Sequence, residues 1–236
     1  MKNIRYYPTF LPLLLSFFLL QGFTSQPENT ITLKINPKFG TQNLVLESGK
    51  YVTTNGDTVS VNRLRFYMSA IQFTFSDGSV YKESNSYHLI DAEDAATLGF
   101  GLKDVPKKDI TAITFNIGVD SLASVSGALE GDLDPVKGMY WAWNSGYINA
   151  KLEGKCRVAE NEEYEFHVGG YLPPYAAIRK VNLKIDAQNT GNTLALTADV
   201  QAWFHAIQLS KTNRIVMPGE QAMKMADNYI QMFRID

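Results

Sequence analysis

Short runs of alternating apolar and polar residues recur along the chain, and this period of two is the feature that most limits how it can fold. The clearest runs cover residues 30–35, 113–119, 163–168, 181–185 and 194–205. Successive side chains of a strand point to opposite faces, so each run predicts a β-strand with one buried and one wet face. Strands of that kind are typical of antiparallel sheets. We therefore predict an all-β fold, an antiparallel β-sandwich of immunoglobulin-like or jelly-roll-like form with one or two short helices.

Local signals refine this prediction. The apolar phase shifts by one residue near Ala70, which indicates a β-bulge, and Asp77-Gly78 is typical of a hairpin turn. The run at 194–205 predicts the clearest strand, with Trp203 on its polar face. Two stretches, 92–97 and 220–226, favour short helices.

The first 25 residues have the organisation of a secretory signal peptide. Lys2 and Arg5 precede an apolar run of about 11 residues, which is shorter than the ~20 that cross a bilayer. We predict that residues 1–25 are removed on export and that residues 26–236 form one domain. The protein is then periplasmic or secreted, without stable membrane insertion after cleavage. A retained N-terminal anchor is the alternative.

Charge and cysteine content narrow the function. The chain has 22 basic and 24 acidic residues and a net charge of −2, so no basic face for nucleic acid is expected. Its single cysteine, Cys156, excludes an internal disulfide. We expect a buried thiol there, and a cross-link between two chains is the alternative.

Motifs for catalysis are missing from the sequence. It contains no Gly-x-Ser-x-Gly elbow, no phosphate-binding Walker loop, no His-Glu-x-x-His and no Cys-x-x-Cys. We therefore predict that the protein is not an enzyme.

Three histidines, His88, His167 and His205, all fall on predicted strands. Neutral imidazole is a good ligand for copper, zinc, iron and nickel. The alternative for each is an ordinary strand histidine that is solvated or hydrogen-bonded.

Two further segments have a possible binding role. Residues 138–147 are dense in aromatic side chains, which favours core packing over a sugar-stacking platform or a redox-active tryptophan pair. Glu130, Asp132 and Asp134 alternate in a loop, which favours a solvated acidic turn over a calcium site.

Several motifs occur in the order found in one known family. They are Leu64-Arg65-Phe66-Tyr67-Met68-Ser69-Ala70-Ile71, Gly118-Val119-Asp120-Ser121, the aromatic segment 138–147, Leu152-Glu153-Gly154, Phe166-His167-Val168-Gly169-Gly170 and Ala226-Asp227-Asn228-Tyr229-Ile230-Gln231-Met232-Phe233. In these motifs the chain resembles the MbnP-like family, and above all its members from Bacteroidetes. The family is named for exported copper-binding proteins of methane-oxidising bacteria.

The resemblance implies a β-sandwich, export and copper binding. In copper-binding members two histidines hold the metal, with an oxidised tryptophan two residues before the first of them. The matching pair here is His88 and His167, and Ser86 stands where the tryptophan is expected. The prediction is an exported protein that binds or carries copper through these two histidines. The alternative is a metal-free structural or interaction module that recognises a cell-envelope protein or glycan through Trp141, Trp143 or Trp203.

Overall fold

The computed structural model describes residues 29–143, 146–186 and 191–236, and the predicted signal peptide lies outside these residues. The strands are β1 (Ile31–Phe39), β2 (Gln42–Asn43), β3 (Tyr51–Val52), β4 (Thr58–Phe75), β5 (Val80–Lys82), β6 (Tyr87–Asp91), β7 (Gly99–Leu102), β8 (Ile110–Ile117), β9 (Tyr140–Trp141), β10 (Gly146–Cys156), β11 (Glu163–Gly169), β12 (Arg179–Lys184), β13 (Thr193–Asp199), β14 (Arg214–Ile215) and β15 (Phe233–Ile235). The α-helices are α1 (Ser121–Val125) and α2 (Glu220–Tyr229). Among the described residues, no helix is both long and apolar enough to cross a membrane.

The strands form two sheets. In the smaller sheet the order is β15-β13-β1-β2, with β7 also paired to β1. In the larger sheet the order is β12-β8-β4-β10-β11-β14, with β3, β5 and β6 on β4 and β9 on β10. The predicted all-β sandwich is confirmed. The sheets are mixed rather than wholly antiparallel, because β1 pairs with β13 and β11 with β14 in parallel.

The main core lies between the two sheets. Phe233 of the smaller sheet meets Phe66 and Phe115 of the larger one, with ring centroids 5.5 and 5.2 Å apart. Burying an aromatic side chain of this size contributes roughly 1.5–3 kcal/mol to folding. The alternating apolar residues of the predicted strands therefore supply the contacts that hold the sandwich together.

A second, smaller apolar cluster lies on the other face of the larger sheet. It contains Tyr67, Leu89, Val119, Ala123, Leu133, Met139, Trp141, Tyr147 and Ile148. The connection that carries α1 and β9 covers this part of the sheet. The outer face of the larger sheet is therefore apolar here and becomes charged further along β4 and β10.

The bulge and the hairpin occur where the sequence predicts them. Ala70 has a φ of 51°, and the register of β4 against β8 shifts between Ser69 and Gln72. The hairpin at Asp77-Gly78 joins β4 to β5, and Gly78 has a φ of 80°. A left-handed conformation at that turn suits glycine, which has no Cβ.

The predicted strand at 194–205 is wrong in its second half. β13 ends at Asp199, and the chain continues as a 3-10 helix, Val200–Phe204. The Asp199 carboxylate accepts hydrogen bonds from the N–H groups of Gln201 and Gly40, and this capping ends the strand. Trp203 turns into the core with 0% exposure instead of lying on a wet face.

Both predicted helical stretches contain helix. The first is a 3-10 helix, Ala95–Leu98, whose N–H of Ala96 donates to the side chain of Asp94. The second is α2, which buries Ala222, Met225 and Ala226 against the sandwich.

Candidate functional site

His167 lies on the outer face of the larger sheet. Its neighbours along β11, Phe166 and Val168, face the core with 0% exposure, so the imidazole points the other way. Its Nε2 is 2.7 Å from Oε1 of Glu153 on the neighbouring β10. The side chains of His167 and Glu153 are 18% and 20% exposed, so water reaches both. The pair is an imidazole held by one carboxylate.

A chain of ion pairs continues from Glu153 across the sheet. Arg63 bridges Glu153 at 2.8 Å and Glu93 at 3.1 Å. Arg65 then bridges Glu93 and Asp91, both at 2.8 Å. The hydrogen bond with His167 and the charge of Arg63 lower the pKa of Glu153, and its burial opposes them. The carboxylate beside His167 is therefore already engaged by a cation.

Lys151 adds a second cation to this face. It stands opposite His167 in the register of β10 and β11, and it is only 8% exposed. Its Nζ donates to the carbonyl of Gly138 at 2.7 Å, and burial lowers its pKa. A metal ion near His167 would meet this charge as well as that of Arg63.

His88 is held differently. Both carboxylate oxygens of Glu83 lie near its Nε2, at 3.0 and 2.9 Å. Ser86 donates its hydroxyl to Glu83 and accepts the N–H of Ile71 at 3.0 Å. The imidazole stacks on Phe100 with ring centroids 3.7 Å apart and planes 9° apart. The His88 carboxylate partner is thus held by a neutral hydroxyl rather than by an arginine.

The structure does not bring His88 and His167 together. His88 stands directly opposite Met68 on β4. His167 stands opposite Lys151 on β10, and Lys151 in turn stands opposite Arg65 on β4. Met68 and Arg65 are three residues apart on one strand, so their side chains lie on opposite faces. The strands β6 and β11 are also three strand spacings apart, roughly 14 Å. The prediction of one pocket shared by the two imidazoles is corrected here, because a single ion does not fit between them.

The aromatic segment mostly supplies core. Met139 and Tyr147 are buried, and Trp141 packs its ring over Gly169, where a Cβ would lie 2.7 Å from the ring. Trp143 is 65% exposed, with its ring 5.8 Å from that of Trp141. Core packing is confirmed for the first three. Asn144 and Ser145 lie outside the described residues.

The acidic loop has a structural role. Asp132 accepts the N–H of Leu89 at 3.1 Å and the Nζ of Lys137 at 2.7 Å. Asp134 caps a 3-10 helix, Pro135–Lys137, by accepting the N–H of Val136. Two of the three carboxylates are therefore occupied by the protein itself, and the structure gives a calcium site no support.

Cys156 and His205 are the remaining residues that the sequence singled out. Cys156 is a free, buried thiol, as predicted. His205 follows the 3-10 helix after β13 and is exposed rather than on a strand. Over residues 29–143, 146–186 and 191–236, no three or more His, Cys, Asp and Glu side chains gather closely enough to hold a metal ion.

Glu83 is the residue that the sequence analysis missed. It lies five positions before His88, just after β5 ends at Lys82. The hairpin at Asp77-Gly78 could have indicated Glu83 from the sequence. It returns the chain toward β4 and brings residues 83–88 alongside the bulge of β4. A carboxylate in such a return segment is in reach of a histidine on the following strand.

Comparisons with known proteins agree with this architecture. The fold is an all-β sandwich that carries separate imidazole–carboxylate pairs. A model of the MbnP family matches residues 28–218, and the chain belongs to that family. Among solved structures, MbnP from Methylosinus trichosporium has a TM-score of 0.60 and 12% sequence identity, covering 78% of this chain and 80% of that one. At that identity the likeness shows a shared fold. A comparison with curated proteins gave no match.

Proposed function

We propose that this protein is an exported copper-binding protein whose metal site is built on His88 and Glu83. Membership of the MbnP family supports copper as the metal. The observation that carries the site is the position of His88 Nε2, which is 2.9 and 3.0 Å from the two oxygens of Glu83. We propose binding or carriage rather than catalysis.

The donor set fits a copper ion. Ligands at a right angle and ~2.0 Å from a metal are about 2.8 Å apart, close to the separation of the imidazole nitrogen from each carboxylate oxygen. A metal ion can therefore replace the proton that His88 shares with Glu83 after small side-chain rotations. Nitrogen and carboxylate oxygen together favour Cu(II) over Cu(I), which prefers sulfur and imidazole. Bound copper would supply a redox-active centre at this rim of the sandwich.

Local charge favours His88 over His167. The only side-chain donor to Glu83 other than His88, within the described residues, is the hydroxyl of Ser86. Glu153 is instead bridged by Arg63, and Lys151 stands beside His167. A metal ion at His167 would share Glu153 with Arg63, which holds the other carboxylate oxygen, and would meet the charge of Lys151. Among the described residues, no lysine or arginine forms an ion pair with Glu83.

The test is Cu(II) titration of the purified protein, followed by electron paramagnetic resonance and metal analysis. We expect one Cu(II) per chain with a single nitrogen ligand from imidazole. His88→Gln and Glu83→Gln should each bind Cu(II) at least about tenfold more weakly, because each variant removes one ligand of the metal. The matched control is the other pair, since His167→Gln and Glu153→Gln should bind copper as the wild type does. Equal affinity in wild type and His88→Gln would refute the site.

Export is tested separately. Protein isolated from its native host should have an intact mass that lacks about the first 25 residues, as a cleaved signal peptide requires. Full-length protein in the cytoplasmic fraction would contradict this part of the proposal.

A metal-free interaction module is a second candidate, favoured by one observation. Trp143 presents 65% of its surface beside the buried ring of Trp141, as an aromatic platform for a glycan or a cell-envelope protein does. Trp203 is buried and therefore does not contribute to such a binding surface. Normal copper binding by Trp143→Ala together with loss of glycan or envelope-protein binding would separate the two roles.

A further inference from the structure

The strand β12 forms the outer edge of the larger sheet. Among the described residues it pairs only with β8, and Ile185 just beyond it donates its N–H to the carbonyl of Thr111 at 2.9 Å. Antiparallel pairs alternate between hydrogen-bonded and non-bonded positions. Val181 and Leu183 lie four and two residues before Ile185, so their backbone groups also form hydrogen bonds with β8. The backbone groups of Lys180, Asn182 and Lys184 therefore point away from the sheet.

Another edge of the same sheet is closed by side chains. On β6, the N–H of Leu89 donates to Asp132 and the N–H of Asp91 donates to the hydroxyl of Thr97. No such partner reaches the outward N–H and C=O groups of β12 from the described residues. This edge is consequently ready to pair with another strand.

The charge of the edge selects the strand that can add to it. Lys180 and Lys184 are exposed, and no carboxylate of the described residues lies within 4.0 Å of either amine. Antiparallel pairing of two copies centred on Asn182 places Lys180 of one copy opposite Lys184 of the other. Like charges directly opposite destabilise a strand pair, whereas opposite charges stabilise it. A second copy is therefore disfavoured, and an acidic strand fits.

We propose that β12 is a docking edge for an extended acidic segment of a partner protein, which adds as a further antiparallel strand. Two acidic residues four positions apart pair with Lys180 and Lys184 on the outer face. Apolar residues between them lie beside Val181 and Leu183 on the core side, since directly opposite residues share a face. This role is independent of copper.

The experiment uses the full protein and a labelled peptide, acetyl-Thr-Glu-Ile-Thr-Ile-Glu-Thr-amide, with a Glu-to-Lys version as the charge control. Fluorescence anisotropy should show saturable binding of the acidic peptide and none of the basic one. The double variant Lys180→Glu/Lys184→Glu should bind the acidic peptide about tenfold more weakly and should bind the basic peptide, which the wild type does not. The matched control, Lys34→Glu/Lys38→Glu on β1, changes two lysines of the same spacing on a strand paired along both edges, and should bind as the wild type does.

A proline variant distinguishes strand addition from plain charge attraction. Asn182→Pro removes an outward N–H that β8 does not use, so the fold is retained while the docking hydrogen bond is lost. Binding should disappear in a variant that keeps its melting temperature. Hydrogen exchange of the wild type should show that the peptide protects the amides of Lys180, Asn182 and Lys184, which supplies the same test if the proline variant unfolds. No saturable binding, binding that survives a folded Asn182→Pro, or unchanged amide exchange would each overturn the proposal.

Discussion

The carboxylate of Asp132 accepts the backbone N–H of Leu89 at 3.1 Å, although the two residues are 43 positions apart. Leu89 is the neighbour of His88, so a loop beyond β8 fixes the outer edge of the strand that carries the proposed ligand. The same strand is anchored again where the N–H of Asp91 donates to Thr97. Within the part of the chain that the structure describes, β6 pairs only with β4, and these two side chains satisfy N–H groups on its other edge.

The first prediction concerns this anchor. Asp132→Ala leaves the N–H of Leu89 without its acceptor, and we expect the free energy of unfolding to fall by about 1–2 kcal/mol. Urea denaturation measures the loss. Asp132→Asn retains an acceptor oxygen and should lose less, because the half-exposed ion pair with Lys137 contributes little. An alanine variant as stable as the asparagine variant would contradict the anchoring role.

A second prediction concerns Gly154 of β10. A Cβ at this position would lie 2.0 Å from the carbonyl oxygen of Ser60 and 2.3 Å from Oη of Tyr164. Gly154→Ala must therefore push β10 from β4, and we expect a loss of at least about 2 kcal/mol in chemical denaturation. The control is Gly99→Ala on β7, where the nearest atom is 3.6 Å away. Similar stabilities for the two variants would show that the sheet adapts freely at Gly154.

Alternation predicted the fold because it is a local property of each strand. Phe66, Phe115 and Phe166 all face the core as the period of two requires. Parallel pairing of β1 with β13 was not predictable in this way, since the partner strand is more than 150 residues away. Nor was the end of β13 at Asp199, because the apolar alternation continues past the residue whose carboxylate caps the next turn.

The sequence does not indicate on which face of the sheet His88 lies. Leu89 packs into the smaller cluster and Ile90 into the main core, so β6 is apolar on both faces and its sequence has no alternation. For His167, the apolar residues Phe166 and Val168 on either side mark the core face, so the alternation of β11 does indicate the outer face for the imidazole. A sequence can place one imidazole on a face only where the other face differs in polarity, and only one of the two strands meets that condition.

A third prediction concerns pH. The hydrogen bond with His167 and the charge of Arg63 lower the pKa of Glu153 from its usual 4.5. A carboxyl group whose pKa is lower in the folded state stabilises the fold above its unfolded pKa, and this contribution is lost as pH falls through the folded pKa. Below pH 4.5 the wild type should therefore lose stability more steeply than Glu153→Gln. Thermal melting from pH 6 down to about pH 3 measures the difference.

The control for this titration is Glu220→Gln. Lys224 also lowers the pKa of Glu220, but that pair lies on the surface of α2, where solvent screens it. Its melting profile should follow that of the wild type. Parallel profiles for the wild type and Glu153→Gln would mean that the ion-pair row adds nothing to stability.

The last prediction concerns the ring on which His88 rests. Phe100 belongs to the smaller sheet and His88 to the larger one, so their 3.7 Å stack joins the two sheets at one rim of the sandwich. Phe100→Leu keeps an apolar contact and removes the stack, and it should lower the free energy of unfolding by about 1 kcal/mol. It should also weaken Cu(II) binding a few-fold, because the imidazole is then free to leave the plane that faces Glu83. Tyr140→Leu removes a ring contact from the smaller cluster, 4.9 Å from Tyr147, and should reduce stability without changing copper affinity. If Phe100→Leu binds copper as tightly as Tyr140→Leu does, the stack stabilises the sandwich alone and the orientation of His88 is fixed by Glu83.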